Sequence, residues 1–153
     1  MTLWVITTCG GKKLPHPGPC EQMYRGPFAQ KQMRVARVIA GAEHLILSNK
    51  YGYMRPGTMI APYDSHWGYP DTMPDKDLSI QIDRLGFKSG DQVIHTGARI
   101  YADQSVRLMP PGVQVYWLPG MLPDSRIGYQ SRLYSQIINL RSLPSGWEKT
   151  RIR

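Results

Sequence analysis

The sequence predicts an α/β protein, a single-domain Rossmann-like three-layer sandwich of about four mostly parallel strands with helices on both faces. Three observations carry this. Four short runs are apolar without alternation, the pattern of strands buried on both sides. Between and after them lie stretches with apolar residues at helical spacing. The two kinds of stretch alternate along the chain, and a strand–helix–strand order makes successive strands parallel.

The first strand is Leu3–Thr8, LWVITT. A helix over Phe28–Ala40 follows, with Phe28, Val35, Ala36 and Ile39 on one side. His44–Asn49 is the second strand. Asp75–Leu85 starts behind Pro74, and Leu78, Ile82 and Leu85 share a face, so it reads as the second helix. The third strand is Gln92–Thr96, and after Gly97 comes a helix over Ala98–Met109. Val113–Leu118 is the fourth strand. Asp124 and Ser125, both good N-caps, introduce the last helix, Arg126–Leu140. Residues 1–140 thus read as one α/β domain, and 141–153 as a basic tail that Trp147 docks.

With 153 residues the chain can bury a core without disulfides or metals. No apolar run is long enough to span a bilayer. Met1 leads directly into LWVITT with no basic n-region, so a first strand rather than a signal peptide is expected there, and with it a cytoplasmic location. In that compartment Cys9 and Cys20 are free thiols. Cys9, His16 and Cys20 fit no metal-ligand spacing, and neither metal nor organic cofactor is expected.

Net charge is +8, unevenly spread: +6 over residues 1–60, −1 over 61–140 and +3 over the last thirteen. A basic face of this kind suits a polyanion, nucleic acid first and DNA before RNA. Lys31, Arg34 and Arg37 recur every three residues on the first long helix as a basic ridge. With Lys12, Lys13 and Arg126 they are the candidate phosphate contacts, although a solvated helix face would read the same way.

In an open parallel sheet, ligands sit beyond the carboxyl ends of the strands. Here the strands exit into TTCGGKK, SNKYGY, HTGARIY and LPGMLPDSRIG, each rich in Gly and polar residues. The glycines of the first let backbone N–H groups approach an anion, although it is neither a P-loop nor a dinucleotide fingerprint. The loop after the second strand is richest. Lys50, Tyr51, Tyr53, Tyr63, Asp64, His66 and Trp67 offer stacking faces, a cation and a carboxylate on a Pro-stiffened turn. Those are the parts of a nucleobase pocket. An Ω-loop packed on the core would use the same tyrosines.

ITTCGGKK, then Glu21–Tyr24 with Phe28, then LILSNKYGY and APYD, resemble a family of small bacterial and phage proteins of unknown function. Its pattern runs S-C-G-K-K-K, L-Y, F, I-L-S-A-K-Y-G-L, P-Y-D. Thr8, Gly11, Asn49 and Tyr53 depart from it mildly. The family is distantly similar to peroxide-stress proteins and uracil-DNA-glycosylase-like folds. That similarity implies a pocket lined by Thr8–Lys13 and Ser48–Tyr51, with Asp64 as catalytic carboxylate. The uracil-glycosylase pocket motifs are absent, so uracil in DNA is not the expected target.

The expectation is therefore an N-glycosylase-like enzyme that cleaves or exchanges the glycosidic bond of a modified base in DNA. Asp64 would be catalytic, and Lys50 the nucleophile if a Schiff base forms. Thr8, Cys9, Gly10, Ser48, Tyr51, Tyr63 and His95 would hold the base. The alternatives are a nucleic-acid-binding module without catalysis, and an enzyme acting on free nucleosides or nucleotides.

Overall fold

The computed structural model describes residues 1–153. Its elements are β1 (Leu3–Thr8), β2 (Gly18–Pro19), α1 (Cys20–Met23), α2 (Pro27–Val38), β3 (Glu43–Ser48), β4 (Gly52–Met54), β5 (Met59–Ile60), α3 (Asp75–Leu85), β6 (Gln92–His95), α4 (Arg99–Leu108), β7 (Gln114–Trp117) and α5 (Ile127–Leu140). Short 3₁₀ turns cover Leu118–Met121 and Trp147–Thr150.

The main sheet runs β4-β3-β1-β6-β7. β1 lies at its centre, parallel to β3 with Ile6 opposite Leu45 and to β6 with Val5 opposite Ile94. β6 and β7 are parallel as well. The four expected strands are all present, and a fifth joins them. β4 turns back antiparallel on β3 after Gly52, whose φ of 72° a residue with a Cβ adopts only under strain. Three residues are too few for a periodic signal, which is why β4 is invisible in the sequence. Gln81 of α3 secures this hairpin, accepting from the Tyr53 N–H and donating to the Tyr51 carbonyl. A separate small ladder pairs β2 with β5 antiparallel.

The unbroken apolar strands are explained by what covers them. Trp4, Ile6, Leu45, Leu47, Val93 and Val115 face α3 and α4 through Leu78, Ile82 and Tyr101. Val5, Ile94 and Tyr116 face α2 and α5 through Val35, Ile39, Leu133, Tyr134 and Ile137. Each such side chain contributes about 1.5–3 kcal/mol of transfer free energy. At the opposite end of the sheet from the strand exits, Asp91 accepts from the N–H groups of Thr2 and Lys88 and from the Trp4 indole. Burial opposes ionisation there, but these donors outweigh it and hold the carboxyl below its usual range.

The tail packs along β7. Trp147 lies against Tyr116 with ring centroids 4.8 Å apart, and the Ile152 N–H donates to the Val115 carbonyl at 2.8 Å. The Arg153 guanidinium donates to the carbonyls of Val106, Met109 and Pro110. It thereby caps the carboxyl end of α4, where a cation is favoured. This arginine is engaged with the protein itself, which leaves Arg141, Lys149 and Arg151 as the tail's exposed cations. No helix is long and apolar enough to cross a membrane.

Candidate functional site

From β1 the chain passes to β3 on one side and later to β6 on the other. The carboxyl ends of β1 and β6 therefore bound the crevice where α/β sheets take ligands. A cavity of about 370 Å³ opens there. Thr8, Cys9, Gly10 and Gly11 line one wall as β1 exits. Its other walls are the starts of three helices: Gly26–Ala29 of α2, Ala98 with Tyr101 of α4, and Ile127 of α5. None of these three helices has a side-chain cap on its first N–H groups, so their positive ends face a common space. Gly97 is required beside it. A Cβ there would come within 2.2 Å of the Thr8 hydroxyl.

Gln32, one of the lining residues, is only 2% exposed. Its Oε1 accepts from the Thr8 N–H at 3.1 Å and from the Thr96 hydroxyl at 2.8 Å, with the Thr8 hydroxyl at 3.4 Å. A backbone N–H can only donate, so the amide orientation is determined by chemistry. Nε2 then has no protein partner and is the part of the amide left to the cavity. Two neighbouring strands and α2 thus hold one donor pointing at the ligand space.

Beside the cavity lies a cluster of hydroxyls. The Ser48 Oγ accepts from the N–H groups of Lys50 and Tyr51, so its own proton goes to the Tyr63 oxygen at 2.6 Å. Tyr63 meets Tyr24 at 2.7 Å. Burial pushes both phenols well above the usual tyrosine range, and both are neutral. The Cys9 thiol is 3.4 Å from the Tyr101 hydroxyl and 3.9 Å from Asn49 Oδ1. Lys13 Nζ sits 4.4 Å above the Tyr63 ring, and Lys50 Nζ is 5.6 Å from it.

The loop from Ala61 to Pro74 is stapled over this edge. Asn49 Nδ2 donates to the Ser65 hydroxyl, which donates to Asp71, and the Met73 N–H returns to the Asn49 carbonyl. Trp67 stacks edge-on against Tyr101, 5.3 Å between centroids. The loop therefore reaches the side chain that closes the cavity.

Of the expected base-binding residues, Thr8, Cys9 and Gly10 line the cavity. Ser48 and Tyr63 lie in the adjoining hydroxyl network, where Ser48 is wholly engaged. Tyr51 meets Tyr63 edge-on and donates to the Ala61 carbonyl. His95 is different. It is fully buried, with Nε2 2.7 Å from the Ser105 hydroxyl and Nδ1 unpartnered. Burial holds it down to about 3, so it is neutral and lines no cavity. Asp64 is exposed, with no hydrogen bond or ion pair. Lys50 is partly buried over the tyrosines.

Among the expected phosphate contacts, Lys12, Arg34 and Arg37 are exposed. Lys31 instead donates to the Ser131 hydroxyl and carbonyl, tying α2 to α5. Arg126 pairs with Asp124 and lies 5.6 Å from the Tyr129 ring, with Arg132 on the same ring. The sequence reading missed Gln32, Phe28 and Tyr101 as cavity residues. Gln32 stands in a helix among basic neighbours, where nothing marks it as buried. Phe28 and Tyr101 pass as ordinary core aromatics.

This arrangement defines a class: α/β domains with a cavity at the carboxyl ends of a parallel sheet, walled by helix N-termini. The family model matching residues 5–136 spans nearly all of it, and the chain belongs to that family, the Family of unknown function (DUF6884). No curated protein and no solved structure matches the chain.

Proposed function

We propose that the protein binds DNA, draws one base out of the stack into the cavity at the β1 and β6 ends, and cleaves or exchanges its N-glycosidic bond. The observation that carries this reading is the cavity itself. It has apolar and aromatic walls in Phe28, Tyr101 and Ile127, and one oriented polar group, the Gln32 amide, at its base. Flat rings with a hydrogen-bonding edge fit such a space. Lys12, Lys13, Arg126 and Arg132 are cations for the flanking phosphates. The family's distant likeness to glycosylase-like folds supports the reading by analogy alone.

In hydrolysis, the C1′–N bond breaks and its electron pair leaves with the base. Water forms the new C1′–O bond and gives its proton to Asp64, which stands on the stapled loop next to Tyr63. The Asp64 charge also favours the cationic sugar as it develops. Lys50 is the alternative nucleophile: its neutral amine attacks C1′, the base leaves with the electron pair of the broken C1′–N bond, and the proton that the amine sheds goes to the departing base.

A second reading has an observation of its own. No carboxylate or histidine lines the cavity, which favours a module that only recognises the base. Mass spectrometry of small molecules released from plain and heavily modified DNAs separates the two. Release by the native protein, lost in Asp64→Asn with DNA binding retained, supports the enzyme. Salt-sensitive binding with no release from any DNA rejects it and leaves the recognition module.

A further inference from the structure

The cavity offers donors and no acids. The three helices that open on it are 12, 10 and 14 residues long, and their first turns leave N–H groups free. Gln32 adds a buried amide N–H group whose own oxygen is already taken by Thr8 and Thr96. The Tyr101 phenol lines the same space, its hydroxyl 3.4 Å from the Cys9 thiol. Against these stand no aspartate, glutamate or histidine among the lining residues.

We infer that the base taken into this cavity is an oxo-base, one whose inward edge carries a carbonyl beside a ring nitrogen, and not an amino-base. This rests on the base-processing reading and names its substrate class. Two arguments converge. The first concerns the ground state. A carbonyl edge accepts from Gln32 Nε2, whereas an exocyclic amino group would set donor against donor at that amide. The second concerns departure. When the C1′–N bond breaks, the electron pair of an oxo-base spreads onto its carbonyl oxygen, where the amide and the helix N-termini stabilise the charge. Adenine, which has no carbonyl to take that charge, departs readily only after protonation, and no acid lines the cavity to supply that proton; for cytosine, which keeps one carbonyl, the first argument decides.

The test uses matched pairs that differ at one position: hypoxanthine against adenine, and uracil against cytosine. Each free base is titrated into the native protein by ligand-observed NMR, which reads weak binding. Hypoxanthine and uracil are expected to bind about tenfold or more tightly than their amino partners. Gln32→Glu, which keeps the shape but presents acceptors, is expected to erase that preference, with circular dichroism confirming the fold. If this variant does not fold, the native panel alone decides.

Equal affinity within each pair, an amino preference, or no binding by any of the four overturns the inference. Oxo-selective binding without base release from any DNA upholds the inference while rejecting glycosidic cleavage. Release of an amino-base from DNA rejects the inference while upholding cleavage.

Discussion

Two cavities of about 370 Å³ each lie on the two ends of α2, and they are chemically opposite. The one at the β1 and β6 exits meets the start of α2, offers donors and contains no charged side chain. The other meets the end of α2 and the beginning of β3, and is lined by Glu21, Arg37 and His44 over Met33, Ala36 and Ile39. In the second, the polar groups are largely spent. Glu21 accepts from the Gly57 N–H, and His44 Nε2 is 2.9 Å from the Thr7 hydroxyl. Volume alone therefore does not mark a site. What distinguishes the first is an oriented group left without a partner, at the end of a helix where negative charge is favoured.

Acidification is expected to have the largest effect. Burial holds His95, which lines neither cavity, down to about 3. Burial, with Arg37 nearby, holds His44, in the wall of the second, down to about 4. Both stand against an ordinary value of 6.5. Below 6.5 the unfolded chain takes up these protons and the folded chain does not. Stability is thus full above 6.5 and is lost as pH falls towards the folded values, each histidine removing at most about 1.4 kcal/mol per pH unit. Denaturant midpoints followed from pH 7 to 4 check this. His95→Gln should flatten the acid limb more than His44→Gln, and equal slopes in all three proteins would break the assignment.

Glycines at the two cavities come next. In Gly97→Ala the new Cβ meets the buried, hydrogen-bonded Thr8 at 2.2–2.8 Å, so the first cavity's base must shift at a cost of about 1–3 kcal/mol. Gly41, at the second, has open space but a φ of 76°, and alanine there costs about 1 kcal/mol through strain alone. Melting temperatures rank the two, and the reverse order would contradict the close packing of Gly97 on Thr8. Tyr63→Phe removes the oxygen between Ser48 and Tyr24 and is expected to cost about 1 kcal/mol. A double-mutant cycle with Tyr24→Phe should show coupling, and simple additivity would argue against the hydroxyl chain. Smallest is Arg37→Gln, within about 0.5 kcal/mol of the native stability, and a larger loss would show that this guanidinium holds the wall of the second cavity.

The sequence made the strands and α3 legible because burial on both sheet faces leaves an unbroken apolar run, and Pro74 marks a helix start. It pointed to the edge of the sheet where the Gln32 cavity opens, because each strand exits into Gly and polar residues. It was weaker on direction. Nothing in IHTG says that His95 turns into the protein towards Ser105 while Thr96 bonds Gln32. Asp64 and Ser65 are neighbours in a loop, yet Ser65 is stapled inward and Asp64 is left outward. The inward polar residue that matters, Gln32, sits on the same helix as the basic ridge. Only the positions of β1 and β6 beside that helix turn it from a surface residue into a cavity donor.

The stapled loop has a kinetic consequence. Asn49, Ser65 and Asp71 order residues 61–74 when the chain folds, so their conformational entropy is lost then and not at the encounter with a partner. On the proposed function, association with DNA should accordingly proceed in one bimolecular phase whose rate falls with added salt, without a slow unimolecular closing step after it.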